Sequence, residues 1–598
     1  MVSAERHDYD VVVIGGGLAG TMAASKCKEL NPSLDVALVD KASVGRSGAS
    51  VFAAGVYNVF LPYEDTLDDW IQEMVLRGEF LNDQAWVETY LARGAQVALD
   101  LCRWGEERGR IIFERKPDGS FIRRRSRGHI KTSHCVYHAI PGMDTMYERC
   151  AELGVEMFNR IMVRSLLVVE GRCAGAVGFN VRTGQGEVFK SKATIVCSSG
   201  SGFKSIYVGH RNLTGDMQVE AFRRGAALIN MEMTHGNTVS REHDVHGLNL
   251  FVGSGGRFIN GSDEEFMWRY DTLGNRARLQ DLCIALSREV DDGRGPIYMD
   301  LTQVSDDDQK MMRRVLPETF RTWDAAGVDP FQHRIEWVVA WAGTRTAGGG
   351  IRVNRRGETN IAGLYAAGDA TNEPVHGTYG FGGVNIGFAA VSGTIAGETA
   401  GEYATQAQAS GLSSVGDDRA EAALDELWKP LARGRKGKKC NPEEIFLGVQ
   451  DILIRRVGYV KTADRLTAAL DAIERLKDMA ENVVAHDFHE LMIALESMNQ
   501  PVLAELIIRA ALVREESRGF HFRPEFPYSD NEHWLQWILW DYKDAELRHW
   551  LEPVPMLLYK PAEARHRAPG LTQEEAVSQG LEQPEIVRVS PDAVHASA

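Results

Sequence analysis

The sequence has no C-x-x-C pair. Its eight cysteines stand apart at positions 27, 102, 135, 150, 173, 197, 283 and 440, which offers neither an iron–sulfur nor a zinc framework. It lacks any run of eighteen apolar residues, and no charged segment followed by an apolar stretch opens it, so neither a membrane-spanning helix nor a secretory signal is expected. A reduced, soluble, cytoplasmic protein is the simplest expectation. Positive charge is also in short supply. Sixty-seven Lys and Arg against 83 Asp and Glu leave a net charge of −16, which argues against general nucleic-acid binding, where phosphates demand clustered cations. Two basic runs, Arg123-Arg124-Arg125 with Arg127, and Arg433 through Lys439, are read as solvated faces or loops, with an acidic docking patch as the alternative. No histidine occurs from residue 8 to residue 128.

What is present begins with length. A chain of 598 residues, 44% hydrophobic and 25% charged, is an ordinary globular sequence too long for a single core. It opens on Asp10-Val-Val-Val-Ile-Gly-Gly-Gly-Leu-Ala-Gly20, followed by a second apolar run, Val36 to Val39, that ends in Asp40. Strand, glycine turn, helix start, strand and acid in this order form a dinucleotide-binding βαβ fingerprint. Gly15 allows the tight turn, Gly17 lets backbone approach a pyrophosphate, and Gly20 lets helix and strand pack closely. The helix N-terminus opposes phosphate charge with free N–H groups and its dipole. Asp40 is placed to accept from ribose hydroxyls.

Residues 64–107 read as helical, with Trp70, Met74, Trp86, Tyr90 and Leu99 facing inward. The apolar strand Ala193–Cys197 runs into Ser198, Ser199 and Gly200, a small-residue turn of the kind that leaves room for ligand. The βαβ rhythm breaks after residue 230 and returns at Gly363–Asp369, so the interval reads as an insertion. Beyond about 416 the pattern turns helical, with a 3.6-residue stripe at Leu466, Leu470, Ile473, Leu476 and Met479, and another begun by Leu491, Met492, Leu495 and Met498. The Pro-, Glu- and Gln-bearing tail is expected to be loosely ordered.

In this order and spacing, several motifs resemble the flavoprotein subunits of the succinate dehydrogenase and fumarate reductase superfamily. They are the opening fingerprint, Arg46-Ser47-Gly48-Ala49, Leu213-Thr214-Gly215-Asp216, Arg257-Phe258, Gly293-Arg294-Gly295, Gly363–Asp369 with His376-Gly377, and Glu516-Ser517-Arg518-Gly519. The resemblance implies an α/β fold: a Rossmann-like FAD-binding domain (1–230 and 345–415), an inserted α+β capping domain (231–344) and a helical domain (416–545). A partly disordered extension, 546–598, follows. It implies FAD held by Gly15, Gly17, Gly20, Asp40, Lys41, Arg46, Ser47, Gly48, Ala49, Ser199, Gly200, Asp216, Gly368, Asp369, Asn385 and Ile386. Asp369 could instead cap a helix. Members with covalent flavin carry a histidine where this chain has Ala49 or Ser50, so the FAD is expected to be non-covalent.

The uninterrupted Arg46 to Asn58 loop looks most like that of adenylylsulfate reductase, whose Asn at the position of Asn58 approaches the flavin; a turn residue is the alternative reading of Asn58. The dicarboxylate-binding residues of the fumarate and succinate members are replaced: Leu279 or Gln280 stands for one Arg, Arg345 for a His, and Gly380 for a second Arg. Arg276 and Arg278 lie close enough for a small shift to substitute. The expected catalytic set is therefore Arg345, His376, His235, Asn58 and Arg278, around a small anionic substrate. Either histidine could donate a proton, since imidazole titrates near neutrality. His521 and Arg518 are expected to brace the helical domain. The expected activity is that of an adenylylsulfate reductase-like, FAD-dependent oxidoreductase exchanging electrons between the small anion at flavin N5 and a ferredoxin-like iron–sulfur subunit, as a homo- or hetero-oligomer. A reductase or dehydrogenase acting on a carbon–carbon bond, or a non-catalytic flavin scaffold, are the alternatives.

Overall fold

A computed structural model describes residues 4–53, 55–205, 209–243, 245–343, 349–379, 381–406, 417–435, 440–544 and 546–589. Its first unit follows directly from the opening residues. β1 (Ala4–Ile14) buries Val11 to Ile14 completely, so its apolar run needs neighbours on both edges and cover on both faces. It has them in β2 (Val36–Asp40), parallel with Val11 opposite Val36, and in the long strand Gly186–Val196, parallel with Val11 opposite Ala193. Glu156–Asn159 extends the sheet beyond β2. The antiparallel pair Ile161–Val169 and Arg172–Asn180 extends it on the other side, and Leu364–Ala366 adds to Gly186–Val196 in parallel. The late return of the βαβ rhythm is thus one more strand of the first sheet.

α1 (Leu18–Leu30) lies against the sheet and against α2 (Val384–Thr405), a helix of small residues that is buried along most of its length. The close approach depends on missing side chains. A Cβ on Gly20 would stand 1.8 Å from Gly15 O, and Cβ atoms on Gly393 and Gly397 would stand 2.3 and 2.4 Å from the carbonyl oxygens of Ala19 and Ala23. This places the N-terminus of α1 hard against the glycine turn.

The insertion carries its own antiparallel sheet, ordered His235–Ser240, Ile335–Gly343, Tyr298–Asp300 and Arg257–Ile259, with the helix Leu279–Asp291 packed on it. Of the residues expected to face inward, Trp70, Met74, Trp86 and Tyr90 are buried, whereas Leu99 is 38% exposed. In the C-terminal helices Leu466, Ile473, Leu491 and Leu495 are buried, but Met479 is 40% exposed and closes its stripe on the solvent side.

Two expectations are corrected here. The region 416–545 is not purely helical, because the hairpin strand Gln536–Lys543 pairs with Leu228–Ile229 of the first domain. The segment 546–589, expected to be loose, continues that hairpin as Glu546–Pro553. It then forms strands Tyr559–Pro561, Arg565–Arg567 and Ile586–Arg588 and a capped helix Gln573–Ser578. Its polar composition hid a few strong anchors: Tyr559, Ala568 and Leu571 are buried, and the Gln84 side chain bonds the backbone of Leu558 and Tyr559.

Candidate active site

The glycine turn opens a cleft of about 870 Å³, within the usual range for ligand sites. Its walls are Gly15 to Ala19, Val39 to Ser43, Ser47 to Ser50, Cys197 to Ser199, Asn212 to Thr214, Asp216, Gly368, Asp369 and part of the helix around Met492. Gly15, at φ +113°, turns so tightly that a Cβ would meet Cys197 O at 2.4 Å. Asp40 organises the rim: its oxygens accept from Gly16 N (2.8 Å), Ala42 N (2.7 Å) and Ser47 Oγ (3.0 Å). Leu18 N, at the start of α1, donates to Ser50 Oγ.

A dinucleotide fits this surface. The hydroxyls of Ser198 and Ser199 are buried without hydrogen-bond partners among the described residues, and Ser199 is held at φ +65°, a backbone conformation that costs a non-glycine residue energy. Such orphaned donors beside a glycine turn and a helix N-terminus suit phosphate oxygens. Lys41 and Asp216 also face the cleft, but they hold each other: Lys41 Nζ bonds Thr214 Oγ1 (2.8 Å) and Glu496 (2.7 Å) and lies 3.4 Å from Asp216, which also accepts from Asn499. The pair anchors the first domain to the helical region. Arg46 is turned away from the cleft, 60% exposed and paired with Asp144 at 2.8 Å. Gly20 and Gly200 are buried behind the wall. Asn385 and Ile386 lie in the first turn of α2, where Asn385 Nδ2 donates to Glu373 (3.0 Å).

Beyond Asp369 the chain enters a second cluster, between the first domain and the insertion. His376 is buried, stacked on Tyr379 with ring centres 4.8 Å apart, and on the opposite domain His235 packs against the same ring at 4.6 Å. His376 Nε2 is 3.2 Å from Glu373 Oε2, at an angle that makes no hydrogen bond. Burial pushes the His376 pKa down to about 3, opposed by the charge of Asp369 and aided by that of Arg127. Burial therefore favours the uncharged form of this ring. Asn58 is buried too: its backbone N–H donates to Gly383 O (2.8 Å), its Oδ1 accepts from Tyr90, and its Nδ2 has no partner. Arg345 and Gly380 lie outside the described residues.

Arg278 is committed elsewhere. Its Nη1 donates to Glu79 (2.6 Å) and its Nε to Asp281 (2.9 Å), all three side chains buried. His521 and Arg518 fill the bracing role: Arg518 joins Glu516 at 2.8 Å and reaches the backbone of Glu79, and His521 contacts Arg514 O.

Arg127 is not singled out by the sequence. The basic run reads as a solvated face, yet only Arg125 in it is exposed. Arg123 pairs with Asp65 and Arg124 with Asp308, while Arg127 is 2% exposed. Its Nε donates to Asn249 Oδ1 (2.6 Å), its Nη2 lies 3.3 Å from Tyr379 OH, and its charge sits over the Tyr379 ring at 5.4 Å. Among the described residues Nη1 has no partner, and no carboxylate pairs with this guanidinium. The loop that carries it is fixed by buried Glu73, which accepts from Ile130 N, Thr132 N and Thr132 Oγ1. A basic tripeptide in sequence gave no hint that its neighbour two residues on turns inward.

Residues 10–386 match the FAD binding domain family, and residues 447–566 match the fumarate reductase flavoprotein C-terminal region. The chain belongs to the fumarate reductase and succinate dehydrogenase flavoprotein family. Its cofactor is FAD, and it is an FAD-dependent oxidoreductase. A relative in Mycobacterium tuberculosis, a fumarate reductase flavoprotein subunit, is 30% identical over 587 residues, covering 93% of this chain and 98% of its own. An uncharacterised FAD-dependent oxidoreductase of Methanocaldococcus jannaschii is 28% identical and covers 88% of this chain and 94% of its own. The same fold recurs in the Escherichia coli quinol fumarate reductase (22% identity, TM-score 0.81, 92% and 97% covered). It recurs also in the Archaeoglobus fulgidus adenylylsulfate reductase (20%, TM-score 0.78, 92% and 96% covered).

Proposed function

We propose that this chain is the flavoprotein subunit of a reductase or dehydrogenase that acts on a small organic acid and exchanges electrons with an iron–sulfur subunit. The observation that carries this reading is the junction of two sites. The dinucleotide cleft ends at Asp369, and immediately beyond it a buried cluster of His376, Tyr379, His235 and Arg127 bridges the first domain and the insertion. A guanidinium in that setting without an acid favours an anion. When bound, FAD supplies hydride exchange with the substrate and electron transfer to a partner. The chain's own residues orient the cofactor on the glycine turn, exclude water between the domains and hold the anion. The absence of histidine at Ala49 and Ser50 supports a non-covalent FAD.

The organic-acid reading is preferred to a sulfur oxyanion. The M. tuberculosis relative is named for fumarate reduction, and Arg46, which opened the loop motif shared with adenylylsulfate reductase, points out of the cleft. The lack of a cysteine framework in this chain leaves iron–sulfur electron transfer to a second subunit. Anaerobic protein with reduced flavin is mixed separately with fumarate, other small unsaturated acids, and adenylylsulfate. Return of the oxidised flavin spectrum with an organic acid supports the reading; return with adenylylsulfate alone replaces it. A flavin inert to every compound would favour a scaffold role.

A further inference from the structure

Arg127 is a buried cation with unused hydrogen-bonding capacity. Two of its five N–H donors are engaged, one by the Asn249 amide oxygen and one by the Tyr379 hydroxyl. The two donors on Nη1 have no partner among the described residues, and one of them lies on the edge that Nη1 shares with Nη2. Both contacts are to neutral groups, so they fix the direction of the guanidinium without cancelling its charge. Burying a charge in this state is unfavourable until a counter-ion arrives.

Its surroundings are built for the purpose. Tyr379, beneath the guanidinium, is held at φ +75°, a conformation that bulky side chains seldom adopt and that persists where the surrounding structure enforces it. The Tyr379 ring is flanked by His235 and His376, one from each side of the domain junction. Gly382 lies against the Asn249 amide, where a Cβ would stand 2.4 Å from the same Oδ1 that accepts from Arg127, so a glycine there leaves this oxygen room to face the guanidinium.

We propose that Arg127 is the anchor for the substrate carboxylate, that Asn249 and Tyr379 are its positioning residues, and that the aromatic rings beside it form the wall for the body of a planar organic acid. This rests on the organic-acid reading above and assigns the residue that reads the anion. A planar guanidinium edge matches the two coplanar oxygens of a carboxylate better than the pyramidal oxygens of sulfite. The anchor also explains how the chain manages with Arg278 locked to Glu79 and Asp281.

The test uses the FAD-loaded full chain as wild type, Arg127→Lys, Arg127→Gln and Asn249→Ala, each checked for flavin content and melting temperature. Binding of fumarate, succinate and sulfite is followed by calorimetry and by the flavin absorption spectrum. Carboxylate dissociation constants are expected to rise about tenfold in Arg127→Lys and thirtyfold or more in Arg127→Gln, with KM rising alongside. Asn249→Ala is expected to give a smaller rise, and flavin content to stay unchanged throughout. If Arg127→Lys retains FAD and binds carboxylates like wild type, the anchor assignment is overturned. Tight binding of sulfite and not of carboxylates by wild type overturns the substrate class. A wild-type chain that takes up no FAD fails at the earlier step, the cofactor reading, and is recognised by its colour before any acid is added.

Discussion

Arg278 Nη1 lies 2.6 Å from Glu79 Oε1, and both side chains are buried, one in the inserted domain and the other in the first. Asp281 holds the other side of the guanidinium, while Gly519 N donates to Glu79 and Arg518 reaches its carbonyl. Three parts of the chain therefore meet on one acid. Burial raises the Glu79 pKa and the two arginines oppose the rise, so the charged form depends on its partners. Arg278→Met is expected to cost about 3–5 kcal/mol, because it strands buried carboxylates. The double variant Arg278→Met/Glu79→Gln should recover part of that loss. Urea unfolding of the four proteins gives the coupling, and a double-variant loss equal to the sum of the two single losses would show that the two groups act independently.

The buried histidines set an acid limit. His376 and His129 are pushed down to about 3 and His246 to about 4, each chiefly by burial. A folded pKa below the unfolded value of about 6.5 means that the unfolded chain takes up protons first as the pH falls. The stability contributed by these neutral rings is complete above about 6.5 and is lost progressively toward about 3 to 4. Unfolding free energy should therefore drop from pH 7 to pH 5 by more than 1 kcal/mol, and His246→Gln should flatten the slope. A stability that is level across this range would contradict the assignment of neutral rings.

The glycine turn and the strands around it were legible because their physics is local: a close approach, a left-handed turn and an apolar run each leave a mark in a few consecutive residues. The inserted sheet was legible only as a break in rhythm. Arg127, Tyr379 and Asn249 were not legible, because what distinguishes them is which charges they fail to meet, and that depends on residues 122 and 252 positions apart in sequence. The tail misled for a related reason: its order comes from a few contacts to distant helices rather than from its composition. Arg46 stands in a family motif and Arg278 beside the position of another, yet each is claimed by an acid distant in sequence.

That tail supports a third prediction. Arg288 on the inserted helix makes a two-pronged bridge to Glu575 (2.7 and 2.6 Å), and Gly570 sits where a Cβ would meet Ile284 at 2.3 Å. Because the tail also grips Gln84 of the first domain, it ties the insertion down from outside. Truncation after residue 561 should speed amide hydrogen exchange in the helix Leu279–Asp291 by tenfold or more while leaving β1 unchanged. Unaltered exchange in that helix would show that the tail bears no load.

Two glycine substitutions separate packing from ligand contact. In Gly20→Ala the new methyl would stand 1.8 Å from Gly15 O, so the turn itself must move, and loss of both flavin and stability is expected. In Gly17→Ala the nearest atom is Ser50 Oγ at 3.0 Å, a side chain that can shift. This variant should fold with a melting temperature near wild type and bind FAD at least tenfold more weakly. Tight FAD binding by Gly17→Ala would remove the pyrophosphate from that position.

The most direct measurement is the flavin itself. The account predicts that the purified, FAD-saturated chain carries one FAD per polypeptide and that acid precipitation releases all of it into the supernatant, with Asp40→Ala reducing the bound fraction. A chain that stays colourless in the presence of FAD, or flavin that remains with the precipitated protein, would contradict it.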